Sequence, residues 1–200
     1  MNNPQELKNT IDKNKKTKVW FFTPYSFEGK LFEAYDQYMS LVKNPNDWVV
    51  LMDGDALFFH PNFGHLIQAY IEKYPKTGLF TSYTNRIGTR TQIYDRELFD
   101  VDSIKYNFLK ADFLLKDKPL ESTVITTPIS GFLMVIKRAT WEKISKELKQ
   151  SLESNQLLHV DYAISNILIK NKHPIRRMDS ILVFHYYRFV EGNASNRGLI

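Results

Sequence analysis

The chain has no cysteine among its 200 residues, which excludes disulfides, thiolate metal sites and cysteine nucleophiles and fits a reducing compartment. No apolar run approaches the length of a membrane span, and the polar N-terminus lacks the apolar core of a signal peptide. A cytoplasmic protein is therefore expected. Internal repeats and low-complexity segments are absent, and His60, His65, His159 and His173 lack the spacing of a zinc site. The basic residues are scattered and form no recognised nucleic-acid motif, so nucleic acid is not an expected partner. Asn193-Ala194-Ser195 fits a glycosylation sequon, which without a secretory signal is expected to be inert.

What is present suffices for one domain. A hydrophobic fraction of 43% with 14% aromatic residues can fill one well-buried core, whereas two full domains would be cramped. The net charge of +5 and pI near 9.2 favour anionic partners. Part of the excess lies in Lys8, Lys13, Lys15, Lys16 and Lys18, ahead of the first apolar run. Residues 1–17 thus read as a solvated basic arm. The arm is also a candidate for peripheral membrane contact, since a basic residue near an anionic leaflet is worth about 1 kcal/mol.

Strand and helix signals alternate through the rest of the chain. Residues 19–23 form a β-rich run closed by Pro24, and Leu31, Tyr35, Tyr38, Met39 and Val42 recur at helical spacing before Pro45. A strand at 48–52 follows, so this unit predicts parallel pairing. Helical spacing recurs at Phe63–Tyr74, then come a strand at 78–83, a polar loop at 85–92 and a weaker helix at 102–116. In that loop Arg86 and Arg90 read as a solvated face, with a grip on diphosphate as the alternative. Strand candidates at 123–127 and 132–136 flank residues 128–131, helices follow around Trp141–Leu152 and Val160–Leu168, and a strand at 181–184 ends at His185. Residues 191–200 read as a polar tail. The expected fold is α/β, a single domain over residues 18–190.

Residues 47–59 carry the strongest chemical signal. The apolar run 48–52 delivers Asp53 and Asp55 around Gly54. Side chains two apart on an extended segment share a face, so both carboxylates can meet one cation, while Gly54 allows close approach of backbone or phosphate. Hard oxygen ligands suit Mg²⁺ or Mn²⁺, which commonly complete their shells with substrate phosphates. A polar turn that caps the next helix is the structural alternative. In open α/β sheets ligands gather at the carboxyl ends of strands, and residues 23–25, Asp53, Asp55 and His185 all stand at such ends.

The ordered segments VWFFTPYS, EGKLFEAYDQYM, DWVVLMDGDALFF, ISGFLMVIKRATWEKI, HVDYAISNIL and ILVFHYYR resemble glycosyltransferases of the GT-A fold, closest to the family 2 type. The resemblance spans most of residues 18–188. It implies a mixed, mainly parallel sheet flanked by helices and a metal-dependent inverting transfer from a nucleotide-diphosphate sugar to a saccharide or lipid-linked acceptor. The family's DXD motif falls on Asp53 and Asp55, which would bind Mn²⁺ or Mg²⁺ and the donor diphosphate. Thr23, Pro24 and Tyr25 match the nucleotide-contacting first loop, with Lys30 a further phosphate or base contact. Ser130, Gly131 and Phe132 match the acceptor-side segment, Asp161 the catalytic base, and His185 the histidine that completes the metal shell. Arg188, just beyond, is a phosphate candidate. The stretch between the first strand and the DXD motif is shorter than the family pattern, and no acidic nucleotide-base contact is found there.

Other assignments compete at each position. Asp161 can serve the helix dipole alone, and Asp179 in a turn or Glu121 in a loop are rival bases. His185 can be a buried core histidine. Phe58, Phe59 and Phe63 read as core, and Trp141 as core or as a sugar-stacking surface. A HAD-like phosphatase is the competing enzyme class, disfavoured because Leu57 replaces the expected Thr or Val. A non-catalytic nucleotide-sugar or saccharide-binding protein is the third reading.

Overall fold

Residues 17–101 and 103–186 are described by a computed structural model; most of the basic arm, the polar tail with its sequon, and Arg188 lie outside the described residues. Strands β1 (Val19–Phe22), β2 (Trp48–Met52), β4 (Leu79–Thr84) and β7 (Ile175–His185) share one direction, and β3 (Ala56–Phe58), β5 (Ser122–Ile125) and β6 (Leu133–Lys137) oppose them. They make one mixed, open seven-stranded sheet in the order β1-β2-β6-β4-β7-β3, with β5 against the first half of β7. Helices α1 (Leu31–Leu41), α2 (Phe63–Lys73), α3 (Ile104–Asp117), α4 (Arg138–Ser154) and α5 (Val160–Lys170) flank it. The described residues thus form a single α/β domain.

Alternation along β2 sets the layers. Val49 and Leu51 enter the core beneath α1, α4 and α5, with Tyr35, Met39, Trp141 and Leu168. Trp48 and Val50 face the other way, into a core with Ile67, Tyr70 and Ile71 of α2. Each such fully buried aliphatic side chain contributes about 1.5–3 kcal/mol. A smaller cluster under α3 joins Ala111 and Leu114 to Tyr83 and Leu182. The parallel pairing expected for β1 and β2 is present, and buried Asp47 fixes its start by accepting the Lys18 amide and the Trp20 indole N–H.

Three features depart from the sequence expectations. The last strand begins at Ile175, well before residue 181, because its charged residues are partnered: Arg176 and Arg177 lie over the rings of Tyr74 and Tyr83, and Arg177 pairs with Asp179 at 2.7 Å. Asp179 therefore sits within β7, at a register shift against β4 where Tyr70 Oη meets the Ser180 hydroxyl at 2.7 Å. Its carboxylate pairs with Arg177 and accepts the Thr123 hydroxyl, and Asp179 is not among the residues that line the cavity of Asp161. Arg86 is fully buried, where a solvated loop face was expected. Strand β3 was not anticipated, because three residues carry too little pattern; it exists by pairing with the end of β7.

Candidate metal centre and catalytic cavity

Antiparallel pairing of β2 with β6 brings the end of one strand to the start of the other. The Asp53 amide donates to the Phe132 carbonyl at 3.0 Å, so Gly131 stands beside the first aspartate. The chain turns at once, with the Ala56 amide donating to the Asp53 carbonyl at 3.2 Å, and β3 then pairs Ala56 with His185. Asp53 and Asp55 thus meet a histidine that lies far away in the chain. A Cβ on Gly54 would stand 3.5 Å from Thr23 Cγ2, an ordinary contact, so the loop after β1 lies against this turn.

His185 is 2% exposed and stacks on Phe132 with ring centroids 5.4 Å apart. Its amide donates to Asn85 Oδ1 at 2.7 Å, and its Nδ1 lies 3.1 Å from the Arg86 carbonyl. A carbonyl only accepts, so Nδ1 carries a proton and Nε2 is the nitrogen turned to the carboxylates. Nε2 is 3.2 Å from Asp55 Oδ1 and 3.6 Å from Asp53 Oδ2. One donor atom from each of the three residues lies within 4.8 Å of the others, a set that could hold a metal ion. In metal sites a hydrogen bond of this kind, from the far ring nitrogen to a carbonyl, orients the ligating imidazole. With a cation bound, the Nε2 lone pair and the carboxylate oxygens would converge on it.

These geometries tune the two aspartates in opposite directions. The hydrogen bond from His185 holds the Asp55 carboxyl below the usual range. Burial pushes the Asp53 carboxyl up; the charge on His185 opposes the rise, and Asp55 and Asp161 add to it.

The first turn of α5 brings a third carboxylate to the same place. Asp161 lies across a cavity of about 450 Å³ lined also by Asp53, Gly131 and His185. Its Oδ2 accepts the Gly131 amide at 2.8 Å and its Oδ1 accepts the Tyr162 amide at 2.9 Å. Burial raises its carboxyl above the ordinary range against the pull of those two amides. Both oxygens retain lone pairs, so the group can still take a proton.

The structure gathers Asp53, Gly131, Asp161 and His185 around one cavity, with Asp55 beside Asp53 and His185 in the cluster that could hold a metal and Thr23 beside Gly54. Pro24, Tyr25 and Lys30 do not line it; Tyr25 is 75% exposed, and Lys30 pairs with Glu28 at the surface. Trp141 is core: it is 1% exposed and donates its indole N–H to Asp36 at 2.8 Å.

Two residues of the site escaped the sequence reading. Tyr35 looked like one apolar position of a helix, yet it lines the cavity, and burial together with Asp53 and Asp161 pushes its hydroxyl well above the usual phenol range. Its one available signal was a hydroxyl on an apolar face. Gln92 is fully buried and accepts the Ser130 amide at 2.7 Å while donating to the Ser130 carbonyl at 3.0 Å, which fixes the backbone that presents Gly131. Nothing in the sequence marks it.

Compared with protein-family models and with curated proteins, the chain finds no match in either. Among the described residues, no helix is long and apolar enough to cross a membrane.

Proposed function

We propose that this protein is a metal-dependent inverting glycosyltransferase of GT-A type, moving a sugar from a nucleotide-diphosphate donor to the hydroxyl of a saccharide or lipid-linked acceptor. One observation carries the reading: a two-carboxylate, one-imidazole cluster and a separate, raised carboxylate face each other across one cavity. The donor set fits Mn²⁺ or Mg²⁺, because two hard oxygens and an oriented imidazole leave positions for diphosphate. When bound, the cation would act as a Lewis acid toward the charge that develops on the departing diphosphate.

The chain's own residues supply the rest. Asp161 removes the proton of the acceptor hydroxyl, whose oxygen forms a bond to the anomeric carbon. The bond from that carbon to the diphosphate oxygen breaks, and its electron pair leaves with the diphosphate. Attack from the side opposite the leaving group inverts the configuration. Desolvation of Asp161 brings its basicity nearer to neutral pH, where a general base is most effective. The Tyr35 hydroxyl stays protonated at working pH and is a donor to substrate oxygen in the cavity.

Thermal shift with a panel of nucleoside diphosphates, with Mn²⁺ and with EDTA, tests the assignment. A ligand bound by the folded state alone raises apparent stability by mass action, about 2.7 kcal/mol at a hundredfold excess over Kd. Stabilisation by a nucleotide only when Mn²⁺ is present is expected. Metal-independent binding would favour a nucleotide or saccharide-binding protein without transfer.

A further inference from the structure

The cavity of Asp161 has neighbours along α1. Leu31 and Val160 line both it and a neighbouring depression of about 210 Å³. Phe32, Glu33 and Lys149 line that depression and also a third, of about 500 Å³, in the seam between α1 and α4. The three hollows share lining residues in series, so they stand in a row from the cavity of Asp161 past the start of α1 and along the helix. From Leu31 to Gln37 the helix rises roughly 9 Å at 1.5 Å per residue, more than one pyranose ring spans.

The lining discriminates among acceptors. Beyond the cavity the row offers the carboxylate of Glu33, the amide of Gln37, the hydroxyl of Ser145 and the ammonium groups of Lys146 and Lys149 over a floor made by Phe32. Sugar hydroxyls donate and accept, and so match every one of these groups. An acyl or polyprenyl chain would desolvate them with no hydrogen bond in return.

We propose, on the basis of the transferase reading, that the acceptor is an oligosaccharide of three or more residues, with its terminal hydroxyl at Asp161 and the chain behind it lying in the α1–α4 groove. The lipid-linked alternative is thereby set aside for this site.

The test is binding of the full chain, loaded with Mn²⁺ and a nucleoside diphosphate, to immobilised homologous series of one to six residues built from hexose, N-acetylhexosamine and uronic acid repeats. Apparent affinity for one series is expected to rise about tenfold or more from one residue to four. Gln37→Ala, at an exposed position, and Ser145→Tyr, which fills the seam, should flatten that rise. The thermal shift produced by Mn²⁺ and nucleoside diphosphate should persist in both variants. Equal affinity for short and long glycans, an unchanged rise in both variants, or retention on phosphatidylglycerol vesicles with no binding to any glycan would overturn the groove assignment. Loss of the metal-dependent nucleotide shift in the parent protein would instead overturn the transferase reading itself.

Discussion

Asp161 and Gly131 are in mutual contact: the carboxylate accepts the glycine amide at 2.8 Å, and a Cβ at position 131 would stand 3.0 Å from the Asp161 Cβ. That separation is tighter than most real contacts, so Gly131→Ala must push the aspartate or its helix by a few tenths of an ångström. Such overpacking costs about 1–3 kcal/mol. The variant should keep metal-dependent nucleotide binding and lose most transfer, because the base is moved while the metal cluster is not. Unchanged turnover in Gly131→Ala would show that the placement of Asp161 is not critical.

Asp161→Asn gives a sharper version of the same experiment. Both carboxylate oxygens accept backbone amides, from Gly131 and Tyr162, whereas an asparagine offers one oxygen and turns an NH₂ toward the other donor. A loss of about 1–3 kcal/mol in stability is expected from the unsatisfied amide, together with loss of transfer and retention of the nucleotide shift with Mn²⁺. Urea unfolding and donor turnover on one preparation separate these effects. Near-normal turnover would remove Asp161 as the base.

Part of this candidate site is marked in the sequence by local rules. The apolar run of β2 ending in Asp53 and Asp55 marks a strand end, whereas Asp161 is singled out only by the family resemblance, its place in the first turn of a helix fitting a capping role equally well. Other parts depend on pairing between distant segments. Sequence periodicity cannot show that β3 exists, that the end of β7 carries His185 back to Asp55, or that Gln92 clamps Ser130. Charge also misled: Asp179 reads as a turn residue, yet it lies within β7, where its pairing with Arg177 makes burial tolerable.

The metal cluster predicts a definite pH dependence. Burial raises the Asp53 carboxyl, so in EDTA its favourable contribution to stability is present below the ordinary aspartate range and is lost as pH rises through the raised folded-state value. Asp55, held low by His185, contributes in the opposite sense: its stabilisation is present above the unfolded value and is lost as pH falls through the lowered one. Protons compete with a cation for Asp53, so Mn²⁺ affinity should begin to fall at a higher pH than for a site made of ordinary exposed aspartates. Calorimetric titration across pH checks this, and pH-independent affinity would contradict it.

His185→Ala should lower both stability and metal response. The ring is buried and stacked on Phe132, so its truncation is expected to cost about 2–4 kcal/mol. The informative quantity is the difference in melting temperature between Mn²⁺ and EDTA, which should shrink in the variant. A large stability loss with an undiminished Mn²⁺ effect would make His185 a core residue only.

Tyr35→Phe should leave the fold intact, since the ring and its contact with Trp141 remain. Removing a single hydroxyl donor from the cavity should reduce kcat/KM by about tenfold, the scale of one hydrogen bond to substrate. Steady-state kinetics with the responsive donor measures this, and wild-type kinetics would exclude Tyr35 from substrate contact.

Metal-dependent transfer itself is decided by the release of nucleoside diphosphate from a panel of nucleotide sugars, in Mn²⁺ and in EDTA, for the parent protein and for Asp55→Asn. Release from at least one donor is expected in Mn²⁺ and none in EDTA. Asp55→Asn should release at least a hundredfold less, roughly the effect of losing about 2.7 kcal/mol of transition-state stabilisation. Release that is indifferent to EDTA, equal release by Asp55→Asn, or no release from any donor would contradict the assignment.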